Sequence, residues 1–271
     1  MSSENALAEL RVTTRAEHDR IERILRLDEP MPLERYGAIL CGFDAFLRAW
    51  EPRVHAALPE RLQPWFRARR RGGFASADVE WLRDVAGVDA AATDADGVAA
   101  LPLDDLAQTM GSLYVIEGSA LGGRVIAPKL KRTLGVGQGS GASYFHGFGG
   151  ETGAMWANFR TQAALEIGDS PRNTERACES ARRTFAALIG LFAPLAPPEP
   201  EPVHAEPSTQ IAPALLRVYG AMGAESPAPS PLADIHIDLP ADDESEDDAT
   251  LVELPVDDGE DDGGDTQRMP L

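Results

Sequence analysis

Apolar residues recur every three or four positions along most of the first 192 residues, and this spacing constrains the fold more than any other sequence feature. Such a recurrence is typical of amphipathic helices, whereas a half-buried strand would alternate apolar and polar residues. The pattern predicts helices over residues 5–27, 33–57, 76–86, 103–132, 151–167 and 172–192. No segment alternates as a strand does, and the sequence therefore predicts an all-α fold.

Local signals refine these helices. Pro52 is expected to kink or end the second helix, because proline lacks the N–H that a helix interior requires. Ser76 is a candidate N-cap of the third, and Pro171 suits the first turn of the last. Residues 88–101, rich in Ala and Asp, and the glycine-rich residues 135–141 are predicted loops.

The composition changes abruptly near residue 197. Residues 197–271, named here the acidic tail, hold 19 of the 44 acidic residues, two of the 25 basic residues and 12 of the 21 prolines. A segment so charged and so poor in aromatic residues buries too little apolar area to offset its chain entropy. We therefore predict a single helical domain over residues 1–196, followed by a Pro-rich linker and a largely disordered tail. A short helix near residues 211–222 is one reading of the tail's apolar island, and a transient helix is another.

Several classes of protein are disfavoured. The basic cluster Arg67–Arg71 is interpreted as a solvated loop or helix end, so no nucleic-acid partner is expected. No apolar run reaches the length of a membrane span, and the N-terminus lacks the pattern of a secretory signal. Cys41 and Cys178 stand far apart and form no C-x-x-C motif, which argues against a disulfide framework or a structural zinc site. These features together predict a cytoplasmic protein with no membrane partner.

His18 lies on the apolar stripe of the first predicted helix. A histidine in such a place is more often a satisfied core residue than a ligand, but its neighbours favour a metal ligand. Glu22, one turn later, is placed to accept the proton of the ring nitrogen not used for ligation. Thr14, one turn earlier, is small and leaves room above the ring. Arg11 lies two turns back, about 10 Å along the helix axis, which matches the reach from an iron to a haem propionate.

Small residues interrupt the long helix predicted over residues 103–132. Each helix-interior glycine costs about 0.8–1 kcal/mol relative to alanine, so Gly118, Gly122 and Gly123 need a reason. Tight packing between helices is one reason. The other is a flat ligand that lies against the bare backbone at Gly118 and Gly122. Further along the chain, Arg160 follows Trp156 by one helical turn and is either a carboxylate-binding arginine or a surface residue.

Residues 10–22, 111–123 and 145–160 together resemble the haem oxygenase family, and most closely the bacterial enzymes that supply biliverdin to phytochromes. The resemblance covers residues 5–193. It implies that His18 is the proximal ligand of the haem iron and that Arg11 and Arg160 bind the propionates. Thr14 and Glu22, one turn on either side of His18, are the further candidate residues of this haem site. Gly118, Gly122 and Gly123 match glycines of the distal helix. Ser119 stands where many members carry an aspartate that orders the proton-delivering water.

The resemblance also implies an activity. A haem oxygenase is a monooxygenase that cleaves haem at a meso carbon to biliverdin, CO and iron, so haem b is both substrate and cofactor. It uses O2 and an external electron donor such as ferredoxin or a similar reductase system. Biliverdin would serve as a bilin chromophore for a bacteriophytochrome, or the reaction would serve to release iron. Ser119 and the three glycines are the residues expected at the reacting face.

Two other functions remain open at the level of the sequence. One is a non-catalytic haem-binding or haem-delivery protein on the same fold, with the acidic tail as its partner-binding arm. The other is a structural helical adaptor in which the glycines only pack helices together. Ser119, in place of an aspartate, is the feature that bears on the first of these.

Overall fold

The helical periodicity is realised throughout the part of the chain that the computed structural model describes, which is residues 4–88 and 94–197. The helices are α1 (Glu4–Thr13), α2 (Arg15–Leu25), α3 (Leu33–Ala57), α4 (Gln63–Arg67), α5 (Gly72–Asp84), α6 (Leu106–Leu134), α7 (Ser143–His146), α8 (Thr152–Ile167) and α9 (Pro171–Phe192). No strand occurs within these two ranges, where the only bridges are isolated ones in the glycine-rich loop at Gly137. The predicted all-α fold is confirmed.

The first predicted helix is divided at Thr14. The backbone there leaves the helical region, with ψ near 3°, yet the Thr14 N–H still bonds to the Leu10 carbonyl and its own carbonyl accepts from His18. The Thr14 hydroxyl donates to the same Leu10 oxygen at 2.7 Å. A hydroxyl that bonds back to the preceding turn commonly bends a helix, and this contact accounts for the break.

The second helix has its predicted bounds, 33–57, whereas the predicted start of the third at Ser76 is wrong. Pro52 lies inside α3 and does not end it, because the buried side chains of Trp50 and Val54 on either side keep that stretch packed. Ser76 does not cap α5, which begins four residues earlier at Gly72. The carboxylate of Glu51 on α3 instead accepts the N–H groups of Arg71 and Gly72, at 2.9 and 2.8 Å. A side chain from another helix therefore satisfies the first turn of α5.

α6 begins and ends with strong local signals. Asp105 and Gln108 form a reciprocal capping box, in which the Asp105 carboxylate accepts the Gln108 N–H at 2.8 Å. The helix ends at Gly135, whose φ of 73° is the left-handed conformation that glycine adopts without strain.

α6 is the central element of the described core. It packs along α9 on one side and against α7 and α8 on another, while α3 packs against α5. A buried polar chain crosses this core: the indole N–H of Trp50 donates to the Ser112 hydroxyl at 2.8 Å, and Ser112 is 2.8 Å from the Thr184 hydroxyl. Because α6 touches most of its neighbours, its small residues decide how closely the other helices approach.

Residues 198–271, which include the predicted helix near residues 211–222, lie outside the described residues, as does the loop segment 89–93. The predicted boundary at residue 196 remains a prediction. All described residues fall within one compact unit. None of the described helices combines the length and the apolar character that a bilayer crossing requires.

Candidate functional site

His18 stands on the outer side of α2 rather than in the core. Half of its side-chain surface is exposed, and its ring meets the edge of Phe185 on α9 with 6.1 Å between centroids. A satisfied core histidine would be buried, so the structural alternative for His18 does not hold. The imidazole is accessible to a ligand from outside the chain.

Glu22 and Asp19 flank the imidazole. The Nδ1 atom of His18 is 3.7 Å from a Glu22 carboxylate oxygen, which is longer than a hydrogen bond. Partial burial raises the pKa of Glu22, and the neighbouring imidazole opposes that rise. Ligand atoms of the three side chains lie within 4.8 Å of one another. Because Asp19 also forms a salt bridge with Arg15 at 2.9 Å, His18 is the main candidate ligand on this face.

Arg11 and Thr14 occupy different environments on the same stretch. Thr14 is buried, with its hydroxyl committed to the Leu10 carbonyl. Arg11 is exposed, and its charge lowers the pKa of the Tyr114 hydroxyl on α6, although burial of Tyr114 outweighs it and raises that pKa.

Two of the glycines in α6 are explained by packing between elements. A Cβ at Gly111 would stand 2.0 Å from the Ala177 carbonyl oxygen, and one at Gly123 would stand 2.1 Å from the Phe145 carbonyl oxygen. Both obstacles are backbone atoms, which cannot move aside as a side chain can. The sequence predicts that Gly123 lies at the reacting face, but the Phe145 backbone fills the space beside it.

Gly118 and Gly122 have no such obstacle. A Cβ at Gly118 would meet only the Trp156 ring, at 3.8 Å, and one at Gly122 would meet only Ile126 of the same helix, at 3.7 Å. These are ordinary van der Waals distances. Both glycines are partly exposed, so packing among the described residues does not account for them. A ligand that needs close approach to the backbone would.

Trp156 lies beside Gly118 and one helical turn before Arg160 on α8. The Trp156 ring lies 5.8 Å from the Tyr114 ring and beside Gly118. The Trp156 indole nitrogen and the Arg160 Nε are both buried and have no hydrogen-bond partner among the described residues. Such atoms are unusual in folded proteins and are commonly satisfied by a water or a ligand. Their presence along α8 extends the candidate ligand face from Gly118 to Arg160.

The basic cluster Arg67–Arg71 is only partly solvated: Arg67 and Arg70 are exposed as the sequence predicts, but Arg69 and Arg71 are not. Arg69 and Arg71 are only 4% and 5% exposed, and both guanidinium groups form hydrogen bonds to α6. Arg69 forms a salt bridge with Glu117 at 2.9 Å, and its charge stacks over the Trp65 ring. Arg71 donates to the Ile116 carbonyl and to the Ser119 hydroxyl.

Arg69 and Arg71 therefore hold the side chains of Glu117 and Ser119 in place. Burial raises the pKa of Glu117, against the opposing charges of Arg69 and Arg71, and burial lowers the pKa of Arg69. Ser119 donates to the Ile116 carbonyl at 2.7 Å and accepts from Arg71 at 2.8 Å. Sequence reasoning missed both arginines, since nothing in a run of basic residues marks which members are buried.

The structure brings together some predicted site residues and not others. Gly118 lies beside Trp156, which packs against Tyr114, whereas His18 faces α9 at Phe185. No hydrogen bond or ring contact among the described residues joins Arg160 to Arg11 or to His18. His55 lies near the end of α3 and His146 at the end of α7. His204 and His236 lie outside the described residues. Cavities of about 610 and 830 Å³ elsewhere on the surface include none of the predicted site residues.

A comparison with protein families matches one part of the chain. Residues 73–194 match the family described as heme oxygenase. The haem oxygenase match includes α5 to α9, and with them Gly118, Ser119, Gly122 and Arg160. It does not include His18, Arg11, Thr14 or Glu22, whose resemblance rests on the sequence alone. A search of curated proteins found no match to this chain.

Proposed function

We propose that this protein is a haem oxygenase, which cleaves haem at a meso carbon to biliverdin, CO and iron. The observation that carries the proposal is the open backbone at Gly118 and Gly122, in a helix that lies within the haem oxygenase match. Protein packing explains Gly111 and Gly123 in the same helix but leaves these two unexplained. A planar macrocycle against α6 supplies the missing reason.

The donor set fits a haem on chemical grounds. Neutral imidazole is a common haem ligand, and the half-exposed ring of His18 would hold the iron. Arginines suit carboxylate groups, and Arg11 with Arg160 would hold the two propionates. The buried Arg160 Nε without a partner is the observation that supports this role. Thr14 and Glu22 would flank the ligand, with Glu22 orienting the imidazole.

Haem, once bound, supplies the iron that activates O2 and the macrocycle that is oxidised. The chain's own contribution on the α6 side is steric and polar. The bare backbone at Gly118 and Gly122 admits the macrocycle, and the Ser119 oxygen binds a water near it. Gly123 contributes by letting α6 meet the Phe145 backbone. Electrons come from an external donor such as ferredoxin, and a bacteriophytochrome is the proposed recipient of biliverdin.

A haem titration tests the proposal. Hemin added to the full chain should give a Soret band that His18→Ala abolishes or shifts, while His55→Ala, at the far end of α3, leaves it unchanged. With O2 and ascorbate or ferredoxin, the wild-type complex should then yield a product that absorbs in the red. A His18→Ala spectrum identical to that of the wild type would refute the ligand assignment.

A non-catalytic haem-binding protein is the second candidate, and one observation favours it. The Ser119 hydroxyl is bonded within the protein, to Ile116 and Arg71, and is not an equivalent of a carboxylate. The same titration separates the two functions. A stable Soret band that persists through incubation with O2 and reductant would support binding without cleavage.

A further inference from the structure

Arg71 makes the most unusual buried contact near the open glycines. It lies directly before α5 and is 5% exposed. Its guanidinium reaches α6, where it donates to the Ile116 carbonyl and to the Ser119 Oγ at 2.8 Å. It also stands 4.9 Å above the Tyr144 ring centre, on α7. One side chain thus connects three elements at the turn of α6 that precedes Gly122.

The hydrogen bonds of Ser119 limit what that residue can do. A serine hydroxyl has one proton to donate and two lone pairs that accept. The proton is directed to the Ile116 carbonyl, and one lone pair accepts from Arg71. The buried Tyr144 hydroxyl also lies within reach of Ser119, so the remaining lone pair accepts either from that hydroxyl or from a water. When it binds a water, Ser119 positions that water but does not donate a proton to it.

The charge at this turn comes from Arg71. Glu117, two residues before Ser119, is bonded to Arg69, and Glu51 accepts the backbone N–H of Arg71 and the side chain of Arg70. Within residues 4–88 and 94–197 the Arg71 guanidinium forms no salt bridge of its own. Its positive charge opposes the rise in the pKa of Glu117 that burial causes. Its hydrogen bonds go to the Ile116 carbonyl and the Ser119 oxygen, in a partly buried setting where charge-assisted hydrogen bonds are strong.

We propose that Arg71 is a positioning residue of the reaction: it fixes the Ser119 oxygen and the local path of α6, and its charge polarises the water that Ser119 binds. This inference rests on the proposed function and deepens it, because it assigns the polar control of the distal side to a residue outside α6. Removal of Arg71 frees the Ser119 oxygen and loosens the turn that carries Gly118 and Gly122.

The test compares Arg71→Met, Arg71→Lys and Ser119→Ala with Arg67→Met, which alters an exposed arginine of the same segment. In the ligand-free full chain, amide hydrogen exchange over residues 117–123 should accelerate about 10- to 100-fold in Arg71→Met, the loss expected of one hydrogen bond to a charged group. Haem turnover should fall by a similar factor with KM for haem nearly unchanged. Arg71→Lys should recover part of both losses, and Arg67→Met should match the wild type.

The double variant Arg71→Met/Ser119→Ala decides whether the two residues act together. If Arg71 works through Ser119, the double variant should be little worse than either single variant. Independent, multiplying losses would overturn the proposal, as would an Arg71→Met chain that exchanges and turns over like Arg67→Met. If Arg71→Met does not fold, Arg71→Lys and Ser119→Ala still supply the comparison. A wild-type chain that binds no hemin would refute the proposed function, whereas the exchange data would still report on the contact.

Discussion

Arg69 and Arg71 both bond to α6, whereas Arg70, which lies between them in the sequence, bonds to Glu51 on α3. Arg69 and Arg71 are buried under α6, whereas Arg67 and Arg70 are exposed. The sequence predicts a solvated cluster because arginine is rarely buried without a partner. The partners, Glu117 and Ser119, lie 48 residues further along the chain. Burial of this kind depends on tertiary contacts and cannot be inferred from a local pattern.

Arg69→Met should destabilise the fold in a pH-dependent way. The substitution removes the cation that opposes the burial of Glu117, so the pKa of that carboxyl rises further above its ordinary value. At a pH between the pKa of Glu117 in the folded wild type and its higher pKa in the folded variant, the folded variant keeps a proton that the wild type and the unfolded chain release. The stability of the variant therefore falls as the pH rises through this range. The loss should approach about 3–5 kcal/mol at high pH, the usual result of breaking a buried pair.

Urea unfolding at about pH 5 and about pH 8 checks this expectation, because the gap between variant and wild type widens with pH when the folded carboxyl titrates higher. Arg67→Met serves as the control and should track the wild type at both values. A gap that is the same at the two pH values would show that Glu117 does not respond to Arg69.

At the scale of the helix, the sequence predicts where α6 runs but not what each glycine does. The capping signature Asp105-x-x-Gln108 and the closing Gly135 are both visible in the sequence. The difference between Gly122 and Gly123 is not, because it depends on where the Phe145 carbonyl lies. Likewise, the early start of α5 follows from Glu51 on another helix, and the break at Thr14 replaces one long predicted helix with two.

Alanine substitutions should separate the two kinds of glycine. Gly122→Ala should stabilise the ligand-free chain by about 0.8–1 kcal/mol, because alanine is the better helix former and the site has room. The same substitution should weaken haem binding, since the added methyl group occupies the ligand face. Gly118→Ala should behave in the same way. Urea unfolding and hemin titration measure the two effects.

Gly123→Ala provides the matched control, with the opposite expectation. Its methyl group would collide with the Phe145 carbonyl, and overpacking of this kind typically costs about 1–3 kcal/mol. Should Gly122→Ala bind hemin as tightly as the wild type, the macrocycle does not lie against that part of α6.

α7 depends on a carboxylate that comes from α5. Asp78 accepts the N–H groups of Ser143 and Tyr144 at 2.8 and 2.7 Å. Asp78→Ala leaves both donors without this partner and should lower the unfolding free energy by about 2–4 kcal/mol. Asp84→Ala, on an exposed position of the same helix, is the comparison, and thermal or urea unfolding is the measurement. Equal stability of the two variants would contradict the assignment of Asp78 as the anchor of α7.

Over the whole molecule, sequence patterns predict the helical class correctly, but not the relative placement of the site residues, and the domain boundary near residue 197 stays a prediction. Charge is the property that separates the two parts of the chain, since residues 1–196 are nearly neutral and the acidic tail carries most of the net charge of −19. An excess of one sign alters encounter rates with charged partners and does so most at low salt.

Removal of residues 198–271 should therefore speed association with an acidic electron donor such as ferredoxin at low ionic strength. The difference from the full chain should fade as salt approaches about 0.5 M, where screening confines charge interactions to a few ångströms. Stopped-flow reduction of the hemin complex at several salt concentrations measures it. If the rate of reduction depends on salt in the same way with and without residues 198–271, the charge of the tail does not affect binding of the electron donor.

Arg35 on α3 holds the end of the helical body against α2. Its guanidinium donates to the Leu195 carbonyl at 2.9 Å and to the Ile24 carbonyl at 2.8 Å, so the chain leaves the helical body beside the last turn of α2. Ile24 lies about 9 Å along the helix from His18. The sequence that continues from Leu195 is acidic. We expect its charge to oppose the approach of anionic molecules, whether hemin with its own carboxylates or an acidic redox protein.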